Sequence, residues 1–157
     1  MCGHCGCQGV DAIGELRDEH TVLLEHAHEV RRALAAGDRP AAVSRLAGLV
    51  GHLTRHVARE ERGIFTALRE QGDFAAEVEA LEGEHLALDG AIASLDPQGI
   101  DFETRVLGLL EELEEHIERE DLGVFPVSVV TLGAAGWATV ESAHRALPTF
   151  LTERTSA

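Results

Sequence analysis

Apolar residues recur at alternating intervals of three and four along four long stretches of this chain, and each stretch interrupts the ladder with histidine or glutamate. In the first, Ile13, Leu16, His20, Leu23, Ala27, Val30 and Leu34 are spaced 3, 4, 3, 4, 3, 4. The second runs Leu46, Leu49, Leu53, His56, Glu60, Ile64, Ala67, and the third Phe74, Val78, Leu81, His85, Leu88, Ile92, Leu95. The fourth shows Phe102, Val106, Leu109, Leu113, His116, Glu120. This period belongs to a helix with one buried face, whereas a half-buried strand alternates every two residues. Punctuation places the ends. Asp11 can cap a helix over about 12–36, which Gly37 stops. Asp38 and Pro40 open a second over about 39–70, ended near Gly72. A third covers about 74–95, before the turn Asp96-Pro97-Gln98-Gly99, and a fourth about 101–123, which Pro126 is expected to end or kink. A shorter fifth, about 134–147, carries Trp137, Val140, His144 and Leu147 and closes at Pro148. The expected fold is all-α: an antiparallel up-down-up-down four-helix bundle plus a short C-terminal fifth helix across an end or a side.

Composition agrees and excludes several functions. The chain has 157 residues, enough for one domain with its own core. Aromatics are 4% with no Tyr, and Leu and Ala dominate the apolar set, which favours helix over strand. A net charge of −15 argues against nucleic acid and against anionic membrane surfaces. No apolar run approaches the roughly 20 residues of a membrane span, and the first residues lack a signal peptide's basic and apolar regions, so a cytoplasmic protein is expected. Gly-rich phosphate loops and the serine-hydrolase elbow are absent. The Gly- and Cys-rich residues 1–10 are expected to be a tail, and 11–157 the helical domain.

An internal repeat organises the polar interruptions. Residues 47–65, AGLVGHLTRHVAREERGIF, align without gaps with 107–125, LGLLEELEEHIEREDLGVF, and eight of the nineteen positions are identical. The preceding helices match more weakly, Leu16 to His20 lying opposite Leu81 to His85. Each half therefore supplies one His and then His-x-x-x-Glu. Residues four apart share a helical face, so His56 with Glu60, and His116 with Glu120, point one way. Counting through the first turn puts His20 and His56 within about 1.5 Å of the same height. Four imidazoles and two carboxylates facing an apolar core cost several kcal/mol unless compensated. Two cations compensate them, and carboxylate–His clusters in bundle cores hold di-iron or di-manganese pairs. The simplest assignment gives one metal His20 and His56, the other His85 and His116, with Glu60 and Glu120 bridging.

With these residues in place, the chain resembles the hemerythrin-like (HHE cation-binding) family, whose pattern is H…HxxxE…H…HxxxE on four helices. The likeness covers about 12–126 and includes the flanks Glu60-Glu61…Phe65 and Glu120-Asp121…Phe125. It implies two non-haem irons, oxo- or hydroxo-bridged, that bind or react with O2, hydrogen peroxide or NO, with a catalase-like activity among the outcomes. Oxygen carriers of that family have HxxxH on the third helix, where this chain has His85 and Asp89. The missing imidazole argues against oxygen storage and leaves a position open, or fills it with Asp89 or water. Their last motif is HxxxxD, and His116 has both Glu120 and Asp121 at hand; Glu120 is preferred because it lies on the seam and matches Glu60.

Other readings compete. A ferritin-like site needs Glu-x-x-His, a spacing met by Glu25/His28, Glu82/His85 and Glu141/His144, but Glu25, His28 and Glu82 fall off the seams. His26, His28 and His52 are expected in solvent, and His144 as a satisfied core residue. Arg59 and Arg119 are expected to offset their acidic neighbours by local pairing, a small effect where the pair is exposed. The segment Met1-Cys2-Gly3-His4-Cys5-Gly6-Cys7 concentrates all three cysteines, a donor set for nickel or zinc. It resembles the N-terminal C-x-x-C-G-C nickel site of the hydrogenase nickel-insertion GTPase. That likeness implies an alternative function, a metal-binding accessory protein for [NiFe] hydrogenase maturation or protection with a hydrogenase-related partner.

Overall fold

The computed structural model describes residues 7–155, and every regular element among them is helical. Helix α1 runs Cys7–Ala35. Helix α2 spans 39–71, its α-helical turns interrupted by one wide π turn at Glu61–Phe65. Helix α3 is Ala75–Ala93. Helix α4 spans 102–131, with the same kind of π turn at Glu120–Val124. Helix α5 is Ala134–Ala146, and a 3-10 segment, Phe150–Thr155, follows it. No helix among the described residues is long and apolar enough to cross a membrane.

The turns form where the sequence punctuates them. The Asp38 carboxylate accepts the Ala41 amide at 3.1 Å, and Pro40 sits in the same first turn of α2. Gly37 and Gly72, with φ of 72° and 91°, close α1 and α2 in the left-handed region that disfavours a Cβ. The longer α3–α4 connection is tied to α2 by Arg39, which donates to the Pro97 and Gly99 carbonyls and lies over the Phe102 ring.

Two ends differ from expectation. α1 begins at Cys7, well before Asp11. Gly9 lies so close to Trp137 that a Cβ there would come within 2.3 Å of the indole, so packing on α5 carries the helix back past its expected cap. α4 does not stop at Pro126 but continues to Thr131. The π turn accommodates the proline: the Phe125 amide bonds back to the Glu120 carbonyl, and Pro126 has no N–H for the carbonyl of Asp121. Arg17 of α1 donates to that carbonyl instead, at 2.9 Å. In the first half the corresponding Glu61 carbonyl accepts the Thr66 hydroxyl at 2.6 Å.

Side-chain pairs set the packing. α1 meets α2 through Glu29 with Arg45, Glu19 with His56 and Glu15 with Arg59, so numbers rise on one helix as they fall on the other. α3 meets α4 through Glu84 with Arg119 and His85 with His116. Two apolar clusters result. One holds Val22, Leu23, Leu49, Leu53, Phe102 and Leu113, and the other Leu16, Ile64, Phe65, Phe125, Trp137 and Val140. Along α1, α2 and α3 the His and Glu interruptions fall between the two clusters, and on α4 His116 and Glu120 sit at their boundary, on either side of Ile117.

Candidate metal centre

All six interruptions are buried: His20, His56, His85 and His116 are at most 4% exposed, and Glu60 and Glu120 are 0% exposed. The seams bring them together. His56 Nε2 lies 3.2 Å from Glu60 Oε1, and His116 Nε2 lies 3.3 Å from Glu120 Oε2, as four-residue spacing requires. His20 Nε2 is 3.0 Å from Glu120 Oε1 and 3.8 Å from Glu60 Oε2. His85 Nε2 is 3.5 Å from Glu60 Oε1 and 3.7 Å from Glu120 Oε2. Each carboxylate therefore faces imidazoles from both halves. Two groups follow, His20, His56, Glu60 and Glu120, and Glu60, His85, His116 and Glu120, with ligand atoms inside 4.8 Å of one another in each.

The outer nitrogens are held as strictly. His20 Nδ1 and His56 Nδ1 lie 2.8 Å from Asp121 and Glu19, and His85 Nδ1 and His116 Nδ1 lie 2.9 Å from Glu61 and Glu84. A carboxylate on Nδ1 keeps that nitrogen protonated and turns Nε2 inward as a free donor, the arrangement that orients metal-binding imidazoles. Phe125 stacks on His20 at 5.3 Å and Phe65 on His85 at 5.5 Å. The repeated flank thus has a use: the acid after Glu60 or Glu120 and the Phe four residues later both grip an imidazole of the opposite half.

The interior of this layer is short of partners. His20 Nε2, His56 Nε2 and all four carboxylate oxygens of Glu60 and Glu120 lack a hydrogen bond of acceptable geometry. His85 Nε2 and His116 Nε2 face each other at 2.9 Å, where they can share one proton or adjoining cations. Protons stand in for positive charge. Burial works against the His56 imidazolium, but Glu60 and Glu19 outweigh it and hold its pKa up at about 10. Burial likewise opposes charge on His85, yet Glu120 and Glu60 raise it to about 11. His20 and His116 move upward, where Asp121 and Glu120, and Glu120 and Glu84, overcome burial. Despite complete burial, Glu120 is held well below the usual carboxylate range by His116, His20 and His85. Oxygen and imidazole donors arranged so that shared carboxylates reach two groups fit a pair of divalent cations.

Sequence reasoning named Glu61 and Asp121 as repeated flanks but assigned no outer-nitrogen role to Glu19, Glu61, Glu84 or Asp121, although Glu directly before His20 and His85 is itself a repeat. Arg59 is 0% exposed, and its acidic partners come from α1 and not from its own neighbourhood. Arg59 Nε lies 3.0 Å from Glu19 Oε2, and the guanidinium pairs with Glu15 and donates to the His144 and Leu147 carbonyls. Its counterpart Arg119 is 51% exposed and grips Glu84 at 2.7 Å. The difference is α5, which covers one half alone. His144 on α5 is not the satisfied core residue expected: its Nε2 is buried without a partner. Burial and Arg59 push its pKa down to about 4, so it stays neutral. His52 is half-buried against Phe150 at 4.4 Å, and His26 is half-buried, so only His28 is exposed as expected. Asp89 is exposed on the outside of α3 and belongs to neither group, which removes it as a ligand. Glu25, His28 and Glu141 are exposed, so the ferritin-like pairs do not converge. Cys2 and Cys5 lie outside the described residues, as does the side chain of Cys7.

The family model of the hemerythrin HHE cation binding domain matches residues 11–128. No curated protein and no solved structure matched the chain.

Proposed function

Because the chain belongs to the hemerythrin HHE cation-binding family, we propose that its four long helices form the antiparallel up-down-up-down bundle of that family around a non-haem iron pair, and that this pair handles O2, hydrogen peroxide or NO. The observation that carries the reading is the sharing of Glu60 and Glu120 between two four-residue groups. His20 and His56 would hold one ion, His85 and His116 the other, and Glu60 and Glu120, which belong to both groups, would serve both. When bound, an iron pair supplies a redox couple and open positions for a small ligand. The chain does the rest. Glu19, Asp121, Glu61 and Glu84 keep the outer imidazole nitrogens protonated and the inner ones free. Phe65, Phe125 and the apolar clusters on either side keep bulk water from the layer.

Peroxide turnover is favoured over oxygen storage. The two groups offer four protein residues each, and with Asp89 at the surface no further side chain of α3 closes the His85 group. Metal analysis of iron-grown protein should give two irons per chain, and His56→Ala with His116→Ala should lose them. Iron-dependent oxygen evolution from added peroxide is the activity expected. A ratio below one iron per chain, or full retention by the double variant, would overturn the assignment. A stable reversible oxygenated spectrum without peroxide turnover would reverse the ranking of activities.

A further inference from the structure

The two halves are built alike but covered differently. α5 fills the groove between the start of α1 and the end of α2. There Gly9 abuts Trp137, and a Cβ on Gly63 would lie 3.4–3.6 Å from Ala143, His144 and Val140. Arg59 in the same groove holds the carbonyls at the end of α5. The spacing of His20 from His85, and of His56 from His116, maps this groove onto the second half residue by residue. Leu16 becomes Leu81, Glu19 becomes Glu84, Arg59 becomes Arg119, Gly63 becomes Gly123 and Ala67 becomes Val127. That second groove, between the start of α3 and the end of α4, is a cavity of about 370 Å³ lined by Phe74, Leu81, Glu84, Arg119, Val124 and Val127. A Cβ on Gly123 would meet nothing within 4 Å.

Helix α4 exposes apolar side chains here where α2 of the covered half carries charged ones. Leu122 and Val130 on α4 are 74% and 88% exposed. Their counterparts on α2 are Arg62 and Glu70, charged and in solvent. Exposed large apolar residues on a helix that lines a groove mark an interaction surface. The rim is acidic: Glu77 and Glu84 line the groove, and Glu115 and Glu118 flank it beside Arg119. A second copy would bring another −15 of charge against this rim, which disfavours self-association here. We propose that the α3/α4 groove docks an amphipathic helix of a partner protein, apolar along one face and basic on its flanks, seated as α5 is seated on the other half.

A fluorescein-labelled peptide of residues 133–148 carrying Glu141→Lys supplies the apolar face of α5 with a basic flank, and serves as the probe. Titrated with the full-length protein, its fluorescence anisotropy should rise saturably. Binding should weaken about tenfold or more in Val127→Arg, which sets a cation against the basic helix, and in Gly123→Leu, which fills the groove. Raising salt from about 0.05 to 0.5 M should weaken it too. Unchanged thermal melts of the variants show that the groove alone was altered, and if Val127→Arg fails to fold, Gly123→Leu gives the reading. Absence of saturable binding overturns the proposal. Equal binding by wild type and both variants also overturns it, since the peptide would then be displacing α5. Sedimentation showing a dimer that Val127→Arg dissociates overturns the choice of partner in favour of a second copy.

Discussion

Protons hold the metal layer together when no metal does, and this makes the metal-free protein sensitive to alkali. An imidazole in the unfolded chain has a pKa near 6.5, whereas in the folded protein His56 stands at about 10 and His85 at about 11. A raised pKa contributes stability that is fully present below the unfolded value and is lost as pH climbs through the folded one. Between pH 7.5 and 9.5 the folded state keeps protons that the unfolded state has given up. Each such proton removes about 1.4 kcal/mol of stability per pH unit, so a single one removes about 2.7 kcal/mol over the interval. In a chain of this length that lowers the melting temperature by about 5–11 °C, and a second retained proton doubles the effect. The window is clean. The chain has no lysine and no tyrosine, and its three cysteines all lie among the first seven residues, where they can be replaced without touching the layer. Scanning calorimetry of chelator-treated protein with Cys2, Cys5 and Cys7 changed to Ser, at pH 6.5, 7.5, 8.5 and 9.5, measures it. Metal-loaded protein is the control and should melt at nearly constant temperature, because bound cations displace these protons. A metal-free melting temperature that is flat or rises across the interval would mean that the imidazoles are neutral, and the reasoning fails.

Three further outcomes are expected. Arg59→Ala removes a buried cation from Glu19 and Glu15 and should cost about 3–5 kcal/mol in denaturant unfolding, while Arg119→Ala, at a half-exposed pair, should cost under about 1 kcal/mol; equal losses would contradict the asymmetric covering by α5. Asp89→His should leave iron content and the visible spectrum unchanged, and a spectral shift would place α3 in a different rotation. Changing Cys2, Cys5 and Cys7 to Ser should abolish nickel or zinc binding measured by calorimetry without altering helicity or iron content; undiminished nickel affinity would remove the proposed thiolate site.

The helices and the inward side chains were legible in the sequence because both rest on local periodicity. Leu16, Leu23, Leu49 and Leu113 are buried where the three-four ladder puts them, and His20, His56, Glu60, His85, His116 and Glu120 occupy its steps. Counting helical rise through the first turn then puts His20 and His56 at nearly the same height. Tertiary structure decided what the ladder cannot encode. The passage of α4 through Pro126 leaves the Asp121 carbonyl without its amide, and Arg17 reaches it from another helix. Arg59 and Arg119 occupy equivalent positions in the repeat, yet one is buried and the other half-exposed because α5 lies on only one side. The outer carboxylates acquire their role from imidazoles 24 to 101 residues away. Local spacing fixes which face a residue takes; what it meets there depends on the other helices, and on which half α5 covers.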